Sequence, residues 1–224
     1  QVIGRAGVGL DNVDIATATS RGILVCNAPE SNVVSAAEHS VALLLALARN
    51  VAQAHSALSE GRWERSFWTG VELLNKTVGI VGLGRVGRLV AQRLKGFDVR
   101  ILAFDPFVSS ESARAVNAEM VELNDLLGQS DFVTVHLPRT PETVGLFDSE
   151  RFTKFKPGAR LINAARGGVV IEDDLLKALE SGQLGGAALD VFDAEPKQHS
   201  PLFAREDVVV TPHLGASTNE AQDR

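Results

Sequence analysis

Six places along the last two thirds of the chain carry groups able to do chemistry, and each lies at or just after the end of a short apolar run. They are the glycines Gly82, Gly84 and Gly87 of VGLGRVG, Asp105 after RILAF, His136 in FVTVHL, Arg166 in NAARGG, Asp190 in GAALDV and His213 in TPHLG. The guanidinium of Arg166, set beside two glycines, presents a planar fork that binds a carboxylate through two parallel hydrogen bonds, which suits an anionic substrate. His213 can give or take a proton near neutral pH, and a carboxylate beside it would orient the ring and favour its charged form. Glu195 in DVFDAEP is the candidate for that carboxylate. Each has a bland alternative: a loop arginine paired with a nearby acid, a structural histidine, and solvated loop acids.

These groups need a scaffold that delivers them to one place. The runs TVGIVG (77–82), RILAFD (100–105), FVTVHL (132–137), RLINAA (160–165), GAALDV (186–191) and VVVTP (208–212) are apolar over nearly their whole length rather than alternating. That is the mark of strands covered on both faces. Segments with helical periodicity separate most of them, so the pattern predicts an α/β fold with a doubly wound parallel Rossmann sheet. In GRVGRLVAQRLKG, Val86, Leu89, Val90 and Leu94 share a stripe, and EDDLLKALESG opens on acids and stops at Gly182, as a helix with a left-handed C-terminal cap should. Ligands of such sheets bind beyond the carboxyl ends of the strands.

The glycine triplet follows a strand and opens a helix. In that setting the first glycine permits a tight turn, the second lets a pyrophosphate approach the backbone, and the third lets helix and strand pack closely. The free N–H groups of the helix start then face the anion. Asp105 stands 18 residues past the last glycine, where a carboxylate can accept both adenosine-ribose hydroxyls. It also selects against a 2′-phosphate, since like charges about 4 Å apart repel by roughly 4 kcal/mol at an intermediate dielectric. The expected cofactor is therefore NAD rather than NADP. The alternative for Asp105 is a turn residue before Pro106.

The chain has 224 residues, 45% of them hydrophobic, with a net charge of -6. It can bury a substantial core, and it lacks the basic face that phosphate contacts to a nucleic acid require. VALLLALA at 41–48 is too short to span a membrane. A cytoplasmic protein with neither nucleic-acid nor membrane partner is expected. Cys26, the single cysteine, excludes internal disulfides and reads as an inert strand thiol. No metal is expected, because His39, His55, His136, His199 and His213 show no ligand spacing.

Before residue 75 the pattern changes. VIGRAG, VDIATATSRG and ILVCN read as strand, helix and strand. In SNVVSAAEHSVALLLALARN, Ser35 and Glu38 form a capping-box pair, and the apolar residues after them surround the helix, which implies burial between domains or subunits. EGRWERSFWTG reads as an interface arm or as a surface loop with anchoring aromatics. From the helix and the arm a homodimer or higher homo-oligomer is expected. The expected division is 1–30 as the end of a flavodoxin-like substrate domain, 31–75 as interdomain helix and dimer arm, 76–216 as NAD-binding domain, and 217–224 as the start of a return helix.

VGLGRVG, Asp105, HLP, NAARGG, ALDVF with EP, and TPHLGAST occur in an order and at spacings that resemble the D-2-hydroxyacid dehydrogenases. GRAGVGLDNVD, NAPESNVVSAAEH and HLGASTNEAQDR resemble the branch of that family acting on 3-phosphoglycerate. The resemblance implies that Arg166 binds the substrate carboxylate, His213 is the acid/base on the hydroxyl and Glu195 holds the histidine. For the cofactor it implies Gly82, Gly84, Arg85, Val86, Gly87, Asp105, His136, Leu137, Pro138, Ala164, Ala165, Arg166, Asp190, His213, Gly215 and Ala216. For a small anionic 2-hydroxy acid it implies Arg5, Val8, Gly9 and Asn32, although Arg5 also reads as a strand-edge charge and Asn32 as a helix cap. The implied reaction is NAD-dependent oxidation of 3-phosphoglycerate to 3-phosphohydroxypyruvate, the first step of serine biosynthesis. Hydroxypyruvate or glyoxylate reduction and an NAD-sensing, corepressor-like binding role are the alternatives. Asp98 departs from the glycine common at that turn. The resemblance also implies that most of the substrate domain precedes residue 1, so cofactor binding is expected of this polypeptide more than turnover.

Overall fold

A computed structural model describes residues 1–10 and 12–224. Asp11, inside GRAGVGLDNVD, lies outside the described residues. The chain begins with β1 (Val2–Arg5), α1 (Ile15–Ser20) and β2 (Leu24–Asn27), and the two strands pair in parallel with Ile3 opposite Val25. The Asp14 carboxylate caps α1 by accepting the Thr17 N–H at 2.8 Å. Cys26 stands in a strand, as expected, but is exposed.

Helix α2 (Val33–Ala48) starts earlier than the expected capping box. Asn32 occupies the cap position, and Ser35 is already the third helical residue. Its hydroxyl bonds Thr218 Oγ1 at 2.8 Å, and Glu38 accepts from Arg93 Nη2 at 2.9 Å. Partners distant in sequence have taken both side chains, so the Ser35–Glu38 capping box does not form. Left-handed Asn50, at φ 52, separates α2 from α3 (Val51–Ser59), and the two helices bend by 64°. Among the described residues no single helix is long and apolar enough to cross a membrane.

The remaining elements are β3 (Thr77–Val81), α4 (Arg85–Leu94), β4 (Arg100–Phe104), α5 (Ser110–Arg114), β5 (Ala118–Met120), α6 (Leu123–Gln129), β6 (Phe132–Val135), α7 (Ser149–Phe152), β7 (Ala159–Asn163), α8 (Glu172–Glu180), β8 (Leu184–Leu189), β9 (Val208–Val210) and α9 (Asn219–Asp223). Seven strands form one parallel sheet in the order β5-β4-β3-β6-β7-β8-β9. All six expected runs are strands of it. The seventh, β5, was not expected: it is a three-residue edge strand, AEM, with an exposed middle residue and no apolar run to betray it.

Alternate residues of each strand feed two cores, one per face. Val81, Leu102, Val133 and Leu161 join Leu126, Phe152 and Leu175 on one face, while Ile80, Ile101, Phe132 and Ile162 join Leu43, Leu44, Leu47, Val90 and Leu94 on the other. Burying one such side chain is worth roughly 1.5–3 kcal/mol, which is why these strands contain almost nothing polar. Leu43, Leu44 and Leu47 of α2 are therefore buried within the chain, while Val41, Leu45 and Ala46 are only partly covered and Ala42 is exposed. The arm differs: Trp63 is 80% and Phe67 62% exposed.

Gly79 shows how closely the layers approach. A Cβ there would stand 2.5 Å from Ser130 Oγ and run into the Leu126 side chain, both on or beside α6. Gly79→Ala should cost about 1–3 kcal/mol through overpacking, and Gly79→Val more, read as a shift of the urea midpoint with an unchanged slope.

Candidate active site

The loop after β3 is shaped by its glycines. Gly82 has φ +95, and a Cβ on it would sit 2.8 Å from the His136 carbonyl oxygen. A Cβ on Gly87, in the first turn of α4, would run into the Gly82 carbonyl. At Gly84 nothing lies within 4 Å of where a Cβ would be. Two of the three glycines thus permit close packing, and the middle one leaves a stretch of backbone open. Gly84 is also the N-cap of α4 and gives it no side-chain cap, so the helix start keeps donors for an anion.

Asp105 follows β4. Its Oδ2 accepts the Leu83 N–H at 2.8 Å and its Oδ1 the Phe107 N–H at 2.9 Å. It is a turn residue that also buttresses the glycine loop, and each carboxylate oxygen keeps a further lone pair. Arg85 reaches across to the N-terminal unit, donating to the Pro29 carbonyl at 3.0 Å with Glu30 3.6 Å away. His136 Nε2 lies 3.0 Å from Thr134 Oγ1, and desolvation pushes its pKa down to about 4, so it forms a neutral wall.

The turn bearing Arg166 is pinned from within. Buried Asn163, last residue of β7, accepts the Ala165 N–H and donates to the Arg166 carbonyl, each at 3.1 Å. The Arg166 guanidinium donates to the Ala165 carbonyl at 2.7 Å. Across the rim, His213 Nδ1 and Glu195 Oε2 are 2.6 Å apart. The other Glu195 oxygen accepts the Phe192 N–H at 2.9 Å. An ionised carboxylate only accepts, so the Nδ1 of His213 carries the proton and Nε2 is the basic nitrogen.

His213 has φ 55, the left-handed region, at a cost of about 1 kcal/mol or more for a residue with a Cβ. The hydrogen bonds around Asp190 offset it. That carboxylate, wholly buried at 0% exposure, accepts Thr211 Oγ1 at 2.6 Å, the Leu214 N–H at 2.7 Å and the Gly215 N–H at 2.8 Å. His39 Nε2 on α2 lies 3.1 Å from its Oδ1. Burial alone would raise the pKa of Asp190; the bonds from His39, Thr211 and Leu214 outweigh that and hold it below the usual carboxylate range.

One cleft of about 350 Å³ gathers most of the expected residues: Val8, Asn32, Gly84, Arg85, Val86, His136, Leu137, Pro138, Ala164, Ala165, Arg166, His213, Gly215 and Ala216. Asn32, whose side chain makes no cap bond, faces this cleft. Others stand outside its lining. Gly82, Gly87 and Asp105 shape the turn from behind, Glu195 stands behind His213, and Asp190 acts from beneath rather than as a wall. Gly9 is not in the lining, and Arg5 is folded onto its own loop, donating to Asn12 Oδ1 at 3.1 Å and the Ala6 carbonyl at 2.6 Å. Reading the sequence also missed Asn163, Thr211 and His39. Asn163 had a signal, a polar residue closing an apolar strand, and so did His39, a polar residue in an apolar helix.

A parallel sheet with an open glycine turn at its switch point, and an arginine and a carboxylate-held histidine on the same rim, defines the dinucleotide-binding domain of a dehydrogenase. Comparison with known families sharpens this: residues 41–215 match the family model described as D-isomer specific 2-hydroxyacid dehydrogenase, NAD binding domain. The chain belongs to that family. Over all 224 residues it is 55% identical to a D-3-phosphoglycerate dehydrogenase of Mycobacterium bovis, and over 223 residues, 99% of the chain, 51% identical to that of Archaeoglobus fulgidus. The match spans 42% of each relative's length. Among solved structures, an NAD-dependent formate dehydrogenase from Staphylococcus aureus in complex with NAD superimposes with a TM-score of 0.90 at 38% identity, covering 100% of this chain and 67% of the other. The NAD of the family fits the residues present, since the Gly84 cradle is one that a side chain would fill.

Asp190 sets an acid limit on the fold. Its folded pKa lies below the ordinary value of 3.8, so its contribution is complete above about pH 4 and is lost as pH falls through the depressed value. Asp190→Asn should lose about 2–3 kcal/mol at pH 7 and flatten the acid end of the stability profile, measured by denaturant melts across pH.

Proposed function

We propose that this chain is the cofactor-binding part of an NAD-dependent enzyme that oxidises 3-phosphoglycerate at its 2-hydroxyl to 3-phosphohydroxypyruvate. The observation that carries the reading is the His213–Glu195 pair at 2.6 Å on the rim of a cleft that also holds Arg166 and the Gly84 backbone. Identity of 51% and 55% with two D-3-phosphoglycerate dehydrogenases, along practically the whole chain, supports the choice of substrate.

Each group has a definite task. The Arg166 guanidinium pairs with the substrate carboxylate and draws electron density from the neighbouring carbon. His213 Nε2 takes the hydroxyl proton, and Glu195 stabilises the imidazolium that results. Asn163 fixes the turn from which Arg166 extends. Gly84, Arg85 and Val86 at the start of α4 would hold the pyrophosphate, and Asp105 the adenosine ribose. NAD⁺, when bound, supplies the hydride acceptor. Neutral His136, with Leu137 and Pro138, forms an uncharged wall.

Two substitutions separate binding from chemistry in the full polypeptide. His213→Ala should lower kcat by roughly 10²- to 10⁴-fold while NAD⁺ affinity, read by calorimetry, stays within about threefold. Gly84→Ala should do the reverse, weakening NAD⁺ at least roughly tenfold with an unchanged melting temperature. Unaffected turnover of 3-phosphoglycerate in His213→Ala would remove the assignment.

The same reading includes self-association through the arm of residues 60–70. Trp63 and Phe67 are largely exposed there, and among the described residues the buried Trp68 Nε1 has no hydrogen-bond partner. Sedimentation should report a dimer or higher oligomer that Trp63→Ser with Phe67→Ser shifts toward monomer; an unchanged mass would dismiss the arm as an interface.

A further inference from the structure

His213 is held in a conformation that a residue with a side chain rarely adopts, at φ 55, and such a geometry persists only where its surroundings over-determine it. The constraints are few and traceable. The His213 N–H reaches the Thr211 carbonyl at 3.0 Å. The next two amides, of Leu214 and Gly215, end on the two oxygens of Asp190 at 2.7 and 2.8 Å. Asp190 is therefore the template for the loop that carries the imidazole.

A carboxylate with no solvent contact needs compensation for its charge, or it distorts or protonates. Among the described residues, the imidazole that approaches Asp190 is that of His39, with Nε2 3.1 Å from Oδ1. The hydrogen-bond directions fix its role further. Thr211 has one hydroxyl proton and gives it to Asp190 Oδ1 at 2.6 Å. The 3.1 Å contact between Thr211 Oγ1 and His39 Nε2 then has the histidine as donor, with the Asp190 oxygen 3.1 Å from the same nitrogen. Four residues earlier on the same helix face, Ser35 bonds Thr218 at 2.8 Å and fixes the far end of the loop. The first turn of α2 lines the cleft through Asn32, Val33 and Ala36. One helix thus touches both the ligand cleft and the support of the acid/base loop.

We propose that His39 is a positioning residue for the reaction: through Asp190 and Thr211 it holds the 211–216 loop so that the His213 imidazole faces the cleft. The proposal rests on the assignment of His213 given above. It differs from a packing role for His39, because a packing role would be met by any apolar side chain of similar size.

His39→Leu keeps bulk and removes the donor, whereas His39→Gln keeps an N–H. Hydrogen exchange followed by NMR on this chain reads the loop without turnover. In His39→Leu, protection of the Leu214 and Gly215 amides should fall roughly tenfold or more while the amides of β3 and β6 stay protected, and His39→Gln should restore most of it. In the full polypeptide, His39→Leu should lower kcat roughly tenfold with KM for the hydroxy acid changed less than about twofold, and His39→Gln should recover most of kcat. Unchanged protection at Leu214 and Gly215 would overturn the proposal, as would lost protection with kcat intact. His213→Ala run beside them keeps the two ideas apart: if it retains turnover the functional reading falls, and if it abolishes turnover while His39→Leu leaves kcat intact only the role of His39 falls.

Discussion

Strands that run the same way must end on the same side. In this molecule all seven strands of the main sheet are parallel, so every connection leaving a carboxyl end opens on one rim. Residues far apart in sequence, from Gly82 to His213, come together there without any special contact between them. The strand order sharpens the effect. β3 lies between β4 and β6, so the chain leaves β3 toward one edge and later resumes on its other side, and the loops after β3 and β6 border a crevice. The 2.8 Å between the place of a Gly82 Cβ and the His136 carbonyl measures how narrow the base of that crevice is.

A shared rim is not yet a site, because loops leaving a sheet are free to move unless something fixes them. Here the fixing groups are polar residues at or just past strand ends. Asp105 accepts a backbone N–H of the glycine loop, Asn163 clasps the turn of Arg166, and Asp190 takes two amides of the loop that carries His213. Each lies where the apolar core gives way to the loops. There it keeps enough burial to make its hydrogen bonds strong and enough reach to meet backbone from a neighbouring connection. The strained backbone of His213 survives because the bonds around it outweigh its cost.

Helix α2 joins the two halves of this design. Its apolar side covers one face of the sheet, its first turn lines the cleft, and its polar residues Ser35 and His39 meet the segment after β9. Trp63 and Phe67, both largely exposed, belong to the arm beyond α3 and not to α2. Within the chain, Leu43, Leu44, Leu47 and Ala48 of the apolar run are buried against the sheet, whereas Ala42 stays exposed.

Much of this was legible in the residues alone. Uninterrupted apolar runs need cover on both faces, which gave the six principal strands, and a glycine triplet between a strand and a helix has few uses, which gave the turn. Arg166, His213 and Glu195 could be chosen because charged groups beside buried strands need a reason to be there. The edge strand β5 escaped because an edge needs no apolar run, and the capping box of Ser35 and Glu38 failed because distant partners took both side chains. The sequence determined by itself whatever depends on near neighbours: periodicity, turn chemistry, and the kind of residue at each strand end. Tertiary structure alone decided that Asp190 would be buried beside His39 and that Arg5 would fold onto its own loop, since hydrogen-bond partners are set by which loops the sheet brings within 3 Å of one another.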